Sequence, residues 1–161
     1  MYSIIGQIIK IDALKKAADY NHLRMKYKEA LTGLNKALEL VSVVNAAQLR
    51  STLLCSRAGV YMNLEKYIAA KTDLDAALNL KPLYVKALKL RVHVNEKLHN
   101  WKLVVEDCRN LMNQEWDPQI YDILRNAKRQ KGIDVPENGN TDAEDDDVKK
   151  ESKKQEQKYA N

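Results

Sequence analysis

The feature that most restricts how this chain can fold is that it repeats itself. Residues 51–84 and 85–118 align without a gap, 34 residues against 34. Leu54/Leu88, Arg57/Arg91, Leu64/Leu98, Tyr67/Trp101 and Asp73/Asp107 fall in register. Small or apolar residues also align at Ala58/Val92, Ala70/Val104, Leu74/Cys108 and Ala77/Leu111. An earlier copy is offset by a constant forty residues: Tyr27, Ala30, Leu34, Ala37 and Leu38 precede Tyr67, Ala70, Leu74, Ala77 and Leu78. The six extra residues of that copy are assigned to a loop around 41–45. Repetition at this period means a stack of small supersecondary units. One unit cannot bury its own apolar face, so copies must pack on one another.

The units are helical. Ile4, Ile8, Ile11 and Leu14 recur at steps of three and four, as one helix face requires. Tyr27, Ala30, Leu31, Leu34, Ala37 and Leu38 do the same. Further helices are predicted over about 46–63, 67–80, 83–97, 101–113 and 117–130. With 5 Gly and 3 Pro in the whole chain, turns are few, which argues against a sandwich or barrel. Pro118 marks the last helix start and Gly132 its stop. In that helix Ile120, Leu124 and Ala127 share one face, leaving Arg125, Lys128, Arg129 and Lys131 for water, the pattern of a solubilising cap. Small residues such as Ala58, Gly59 and Ala70 allow close helix approach. Residues 136–157 have almost nothing to bury, so 132–161 reads as a disordered charged tail. The apolar start (Ile4, Ile5, Ile8, Ile9) reads either as a cover for the first repeat or as an exposed dimer surface.

A 34-residue helix–turn–helix unit with Arg57-Ala58-x-x-Tyr61, Ala70-x-x-x-Leu74, Ala77 and Pro82 resembles the tetratricopeptide repeat (TPR). The resemblance implies an all-α fold, a right-handed α-α superhelix. This TPR solenoid would have three repeats (about 11–44, 51–84 and 85–118) and a C-terminal capping helix (about 117–131), forming one TPR domain over 1–131. The third copy departs from the pattern at Val92, Asn95 and Val104. More narrowly, Leu54-Cys55-Ser56-Arg57-Ala58, Tyr84-Val85-Lys86-Ala87-Leu88 and Leu124-Arg125-Asn126-Ala127-Lys128 resemble the TPR module of DnaJ-type co-chaperones. The His-Pro-Asp signature of a J domain is absent from the sequence.

That resemblance implies a concave groove, lined by the first helix of each repeat, which grips the terminal carboxylates of a heat-shock chaperone peptide. Fixed cations donating charge-assisted hydrogen bonds are the chemistry required. The matching positions here are Lys15, Asp19, Ser56, Lys86 and Leu90. Lys15 and Lys86 keep the pattern. Asp19 opposes an anionic ligand, Ser56 is shortened, and Leu90 carries no charge. Lys89 and His93 stand beside them, with Lys89 the candidate replacement for the lost cation. Helical spacing also lets Asp19 pair with Lys15 or Lys16 on its own helix. Any one of these lysines is also consistent with a merely solvated face.

The formal charge is +5, unevenly spread. Residues 132–161 hold nine acids and five bases, and the remainder carries +9. A basic body of this kind suits nucleic acid or an acidic peptide. Lysines spread over many faces and the lack of a visible RNA motif argue against nucleic acid. His22, His93, His99, Cys55 and Cys108 show no metal-ligand spacing, and no glycine-rich phosphate loop is present. Cys108 falls on a buried face, and Cys55 borders the groove without a nearby histidine. Two cysteines suggest a reducing compartment. No apolar run reaches the length of a membrane span, and the N-terminus lacks a basic leader ahead of its apolar stretch. The expectation is a cytoplasmic adaptor, not an enzyme, with no cofactor and no metal. Its partner would be a protein or peptide, either a chaperone C-terminus or a non-chaperone segment held by Met62, Asn63, Leu90 and His93.

Overall fold

The computed structural model describes residues 3–44 and 46–132. Apart from Gly132, the expected tail lies outside the described residues. Seven helices follow one another: α1 (Ile4–Leu23), α2 (Tyr27–Val44), α3 (Ala47–Asn63), α4 (Tyr67–Leu80), α5 (Val85–Lys97), α6 (Trp101–Met112) and α7 (Pro118–Gln130). No strand occurs among the described residues. Each helix packs on its neighbours in sequence, giving the pairs α1/α2, α3/α4 and α5/α6, with α7 against α6. In addition α1 touches α3, and α3 touches α5. The first helices therefore lie closer to one another than the second helices do. A stack tightened on one side curves, and its tight side is concave. This is the expected all-α superhelix of three helical pairs and a closing helix.

The helix ends have local causes. The Ser3 hydroxyl accepts from the Gly6 N–H at 3.2 Å and caps α1. Asp117 caps α7 by accepting from the Gln119 N–H at 2.9 Å, with Pro118 at the tolerated first position. The three turns within pairs are copies of one another. Met25, Glu65 and His99 each sit in the left-handed region, at φ 59°, 56° and 56°. One residue on, the N–H groups of Lys26, Lys66 and Asn100 each reach back to the carbonyls of Asn21, Tyr61 and Asn95 at 2.8 Å. This is the helix stop that glycine usually supplies, made here three times without glycine.

One expectation is corrected. The chain does not loop at 41–44, because α2 continues through Val44, and residue 45 lies outside the described residues. Val41 is fully buried and Val44 packs against the same core, so the apolar stripe of α2 simply runs on. Burial outweighs the weak helix propensity of these valines. The extra residues of the first repeat thus lengthen a helix.

Two core clusters divide the molecule. One joins α1, α2 and the rear of α3 through Ile11, Ala18, Leu34, Val41, Leu53 and Val60. The other runs from Leu54 and Ala58 of α3 through α4, α5 and α6 to Ile120, Leu124 and Ala127 of α7. Helix α3 is sandwiched and contributes residues to both. Arg125, Arg129 and Lys131 are exposed and Lys128 is half-buried, as a capping helix requires.

The repeated Arg/Asp pair proves to be a staple. Arg57 donates from Nε and Nη2 to both carboxylate oxygens of Asp73, each at 2.7 Å. Its Nη1 reaches Asn35 of the preceding pair at 2.8 Å. Arg91 does the same, to Asp107 at 2.8 and 2.7 Å and to Asp75 at 2.8 Å. Asn35 and Asp75 are themselves equivalent by the forty-residue offset. Each arginine therefore ties its own pair together and ties that pair to the one before. In the first pair the corresponding positions are Ala17 and Gly33, and no ion pair forms there. A Cβ on Gly33 would lie 3.4 Å from the Cβ of Ala18, so α1 and α2 approach closely where the others are stapled.

Candidate functional site

The concave wall is built from α1, α3 and α5, with Tyr84 at the entry to α5. Its central feature is the environment of Cys55. That thiol is buried beneath the wall, 1% exposed. Burial pushes the Cys55 thiol up, while the nearby cations of Lys86 and Lys15 oppose the shift. The charges of Lys15 on α1 and Lys86 on α5 thus both reach this one sulfur atom. Burial also raises the Tyr84 hydroxyl.

The two lysines are not equivalent. The Lys15 ammonium donates to Asp19 one turn along at 2.6 Å, and its side chain is only 22% exposed. Lys16 is paired with Asp12 at 2.7 Å. Lys89 donates to Asp117, the cap of α7, at 3.1 Å. That contact holds the Asp117 carboxyl below the usual carboxylate range. Lys86 is exposed and forms no ion pair among the described residues. It lies on an open cavity of about 690 Å³ that Leu83, Tyr84, Lys89, Leu90 and His93 also line. Four of the predicted site residues, Lys86, Lys89, Leu90 and His93, therefore share one cavity. His93 faces Glu96 at 3.3 Å. Ser56 is buried on α3 and is not among the cavity-lining residues. Lys89 is engaged with α7, so it does not stand as a free replacement cation.

Two participants were not singled out for the groove in the sequence. Tyr84 lines the cavity, and its position just before the first helix of a pair is the signal that could have marked it. His22 of α1 reaches across to α3. The Asn63 side-chain amide donates to its Nε2 at 2.7 Å, which requires that nitrogen to be unprotonated. Burial lowers the His22 pKa, with Asp19 raising it and Lys86 lowering it. A Cβ on Gly59 would come within 3.5 Å of the His22 ring. That is ordinary van der Waals distance, so Gly59 lies against His22 of the preceding pair with space for a methyl group.

No family model matches the chain. Rat mitochondrial import receptor subunit TOM70 is 37% identical over 82 residues, which is 51% of this chain and 13% of that protein. The matched segment is thus a small part of that relative's length. Among solved structures, the first TPR of Spaghetti (RPAP3), bound to the HSP90 peptide SRMEEVD, superposes with a TM-score of 0.67. It is 22% identical and the match covers 76% of this chain and 96% of that one. The second TPR domain of human RPAP3, in complex with the HSP70 peptide SGPTIEEVD, gives 0.66 at 20% identity, covering 76% and 98%. The fold is the TPR solenoid. No helix among the described residues is long and apolar enough to cross a membrane.

Proposed function

We propose that this protein is a non-enzymatic TPR adaptor that binds an extended peptide in the groove of α1, α3 and α5. The observation that carries this reading is Lys86, a cation that makes no ion pair among the described residues, on the rim of an open cavity that Lys81, Leu83, Val85 and Leu90 also line. An ammonium so placed is available to a carboxylate, and a carboxylate beside apolar surface is what a peptide end offers. An HSP90 peptide is bound to the similar first TPR of Spaghetti and an HSP70 peptide to the second TPR domain of human RPAP3, which supports a co-chaperone role. Two buried free thiols, Cys55 and Cys108, suit a reducing, cytoplasmic setting.

The test is fluorescence anisotropy with labelled SRMEEVD, wild type beside Lys86→Ala. The chaperone reading expects saturable binding that weakens by about tenfold or more in the variant. Absence of binding by the wild type would reject it. A second reading, a TPR scaffold for a non-chaperone partner, is favoured by the Lys15–Asp19 pair. That pair neutralises one predicted anion-binding cation and leaves a carboxylate in its place.

A further inference from the structure

We infer that the cavity at the entry to α5 is a docking surface for this chain's own acidic run, residues 142–147 with Val148 behind them, which competes there with the incoming peptide. The competition rests on the groove reading above, while the docking is measured separately from it. The cavity carries two cations that the described residues leave unneutralised. Lys81 and Lys86 are both exposed, both line it, and neither makes an ion pair among the described residues. Lys81 is held in place. Its ammonium lies 4.8 Å from the centroid of the Tyr84 ring, and its carbonyl accepts from the Tyr84 N–H at 3.2 Å. A cation already fixed over a ring gives up little freedom when an anion arrives. The first turn of α5 holds no acidic residue and receives no side-chain cap, so that helix end adds to the positive potential. Leu83, 62% exposed, and Leu90 supply apolar surface beside the cations.

The run matches this surface in charge, in order and in reach. Residues 142–148 read Asp-Ala-Glu-Asp-Asp-Asp-Val, five acids in seven residues. Asp146, Asp147 and Val148 repeat the acid-acid-valine order within SRMEEVD. Cations and leucines that suit the peptide therefore suit the run. The reach is set by α7. Lys89 of the cavity donates to Asp117 at 3.1 Å, so α7 starts beside the cavity. Its 13 residues carry the chain about 20 Å away. Asp142 is ten residues on from Gly132, and that much extended chain spans up to about 33 Å. The run can thus return along α7 to Lys86 and Lys81. A segment tethered at this range has an effective concentration of about 1 mM, at which weak contacts compete with a free peptide.

The experiment is amide proton–nitrogen NMR of the full chain without ligand, at two protein concentrations tenfold apart, then anisotropy with labelled SRMEEVD. The run-neutral chain carries Asp142→Asn, Glu144→Gln, Asp145→Asn, Asp146→Asn and Asp147→Asn. The control neutralises other acids nearby in sequence, with Asp134→Asn, Glu137→Gln, Glu151→Gln and Glu156→Gln. Neutralising the run is expected to shift the amides of Leu83, Tyr84 and Lys86 equally at both concentrations, and the control is expected to leave them in place. In a Lys81→Ala, Lys86→Ala background, the Leu83 and Tyr84 amides should no longer respond. SRMEEVD is expected to bind the run-neutral chain about threefold or more tightly than wild type. Silent cavity amides, an equal response in the control, or a response confined to Arg125, Arg129 and Lys131 of α7 would overturn the docking, and binding of SRMEEVD would then leave the groove reading standing. A response that fades on dilution would also overturn it, because the run would then come from a second copy. Equal SRMEEVD affinity in the two chains would overturn the competition. A response at the cavity with no binding of SRMEEVD to either chain would overturn the groove reading and leave the docking standing.

Discussion

The Arg91 staple makes a sharp prediction about what holds the stack together. Asp107 is fully buried and Arg91 is 17% exposed in its side chain. Asp107→Ala removes two of the three hydrogen bonds that Arg91 makes, leaving only Nη1 to Asp75. A guanidinium stripped of its buried partner cannot reach bulk water without moving α5. Breaking such a pair costs about 3 kcal/mol. The equivalent Asp73→Ala is expected to cost a similar amount, about 2–3 kcal/mol, because Arg57 is slightly more exposed but keeps only the neutral Asn35 amide where Arg91 keeps the Asp75 carboxylate. Replacing both partners, Arg91→Met with Asp107→Leu, is expected within about 1 kcal/mol of wild type, since no charge is then left stranded. Urea unfolding followed by helical circular dichroism reads all three, with an unchanged slope confirming that the cooperative unit is intact. Equal losses in the single and the double variants would refute the reasoning. They would mean that the side chains stabilise by packing volume, not through the charged contact.

Two further predictions follow from local geometry. The depressed His22 pKa means that its contribution to stability is fully present above the unfolded value of 6.5 and is lost as pH falls through the folded value. Melting temperature should decline on acidification from pH 7.5 toward 5, and His22→Gln should flatten that decline, as a thermal-melt series at constant ionic strength would show. At the first repeated turn of the stack's middle pair, Glu65→Gly relieves a left-handed non-glycine residue at φ 56°. It should raise stability by about 1 kcal/mol in the same urea assay, and a loss would mean that the Glu65 side chain makes an unrecognised contribution.

Much of the fold was legible because each repeat writes the same instruction. Tyr27, Tyr67 and Trp101 open second helices, and Leu64 and Leu98 close first ones, so periodicity and register agree. The misread segment, 41–44, is the place where the repeats differ in length. A valine run of weak helix propensity resembles a pause until the buried stripe from Leu34 to Val41 is seen to continue. The Arg/Asp register was visible, but its meaning was not. Alignment shows that Arg57 and Arg91 are equivalent, whereas the third bond to Asn35 or Asp75 exists only once the preceding pair is stacked alongside.

The charge state of the candidate groove was not legible in the sequence, and the reason is electrostatic. The TPR resemblance assigned Lys15 and Lys86 to one groove, and the charges of both influence the Cys55 thiol. Whether a lysine is available to a ligand depends on what else lies within about 4 Å of its ammonium. For Lys15 that partner is four residues away on the same helix, a possibility the sequence could pose. For Lys89 it is Asp117, 28 residues on, and only the docking of α7 creates it. The cap therefore does two things at once. It closes the apolar end of the stack with Ile120, Leu124 and Ala127, and its own capping aspartate occupies a groove cation. Closure of the solenoid and the charge its groove presents are set by the same short segment, so substitutions at Asp117 will alter binding as well as stability.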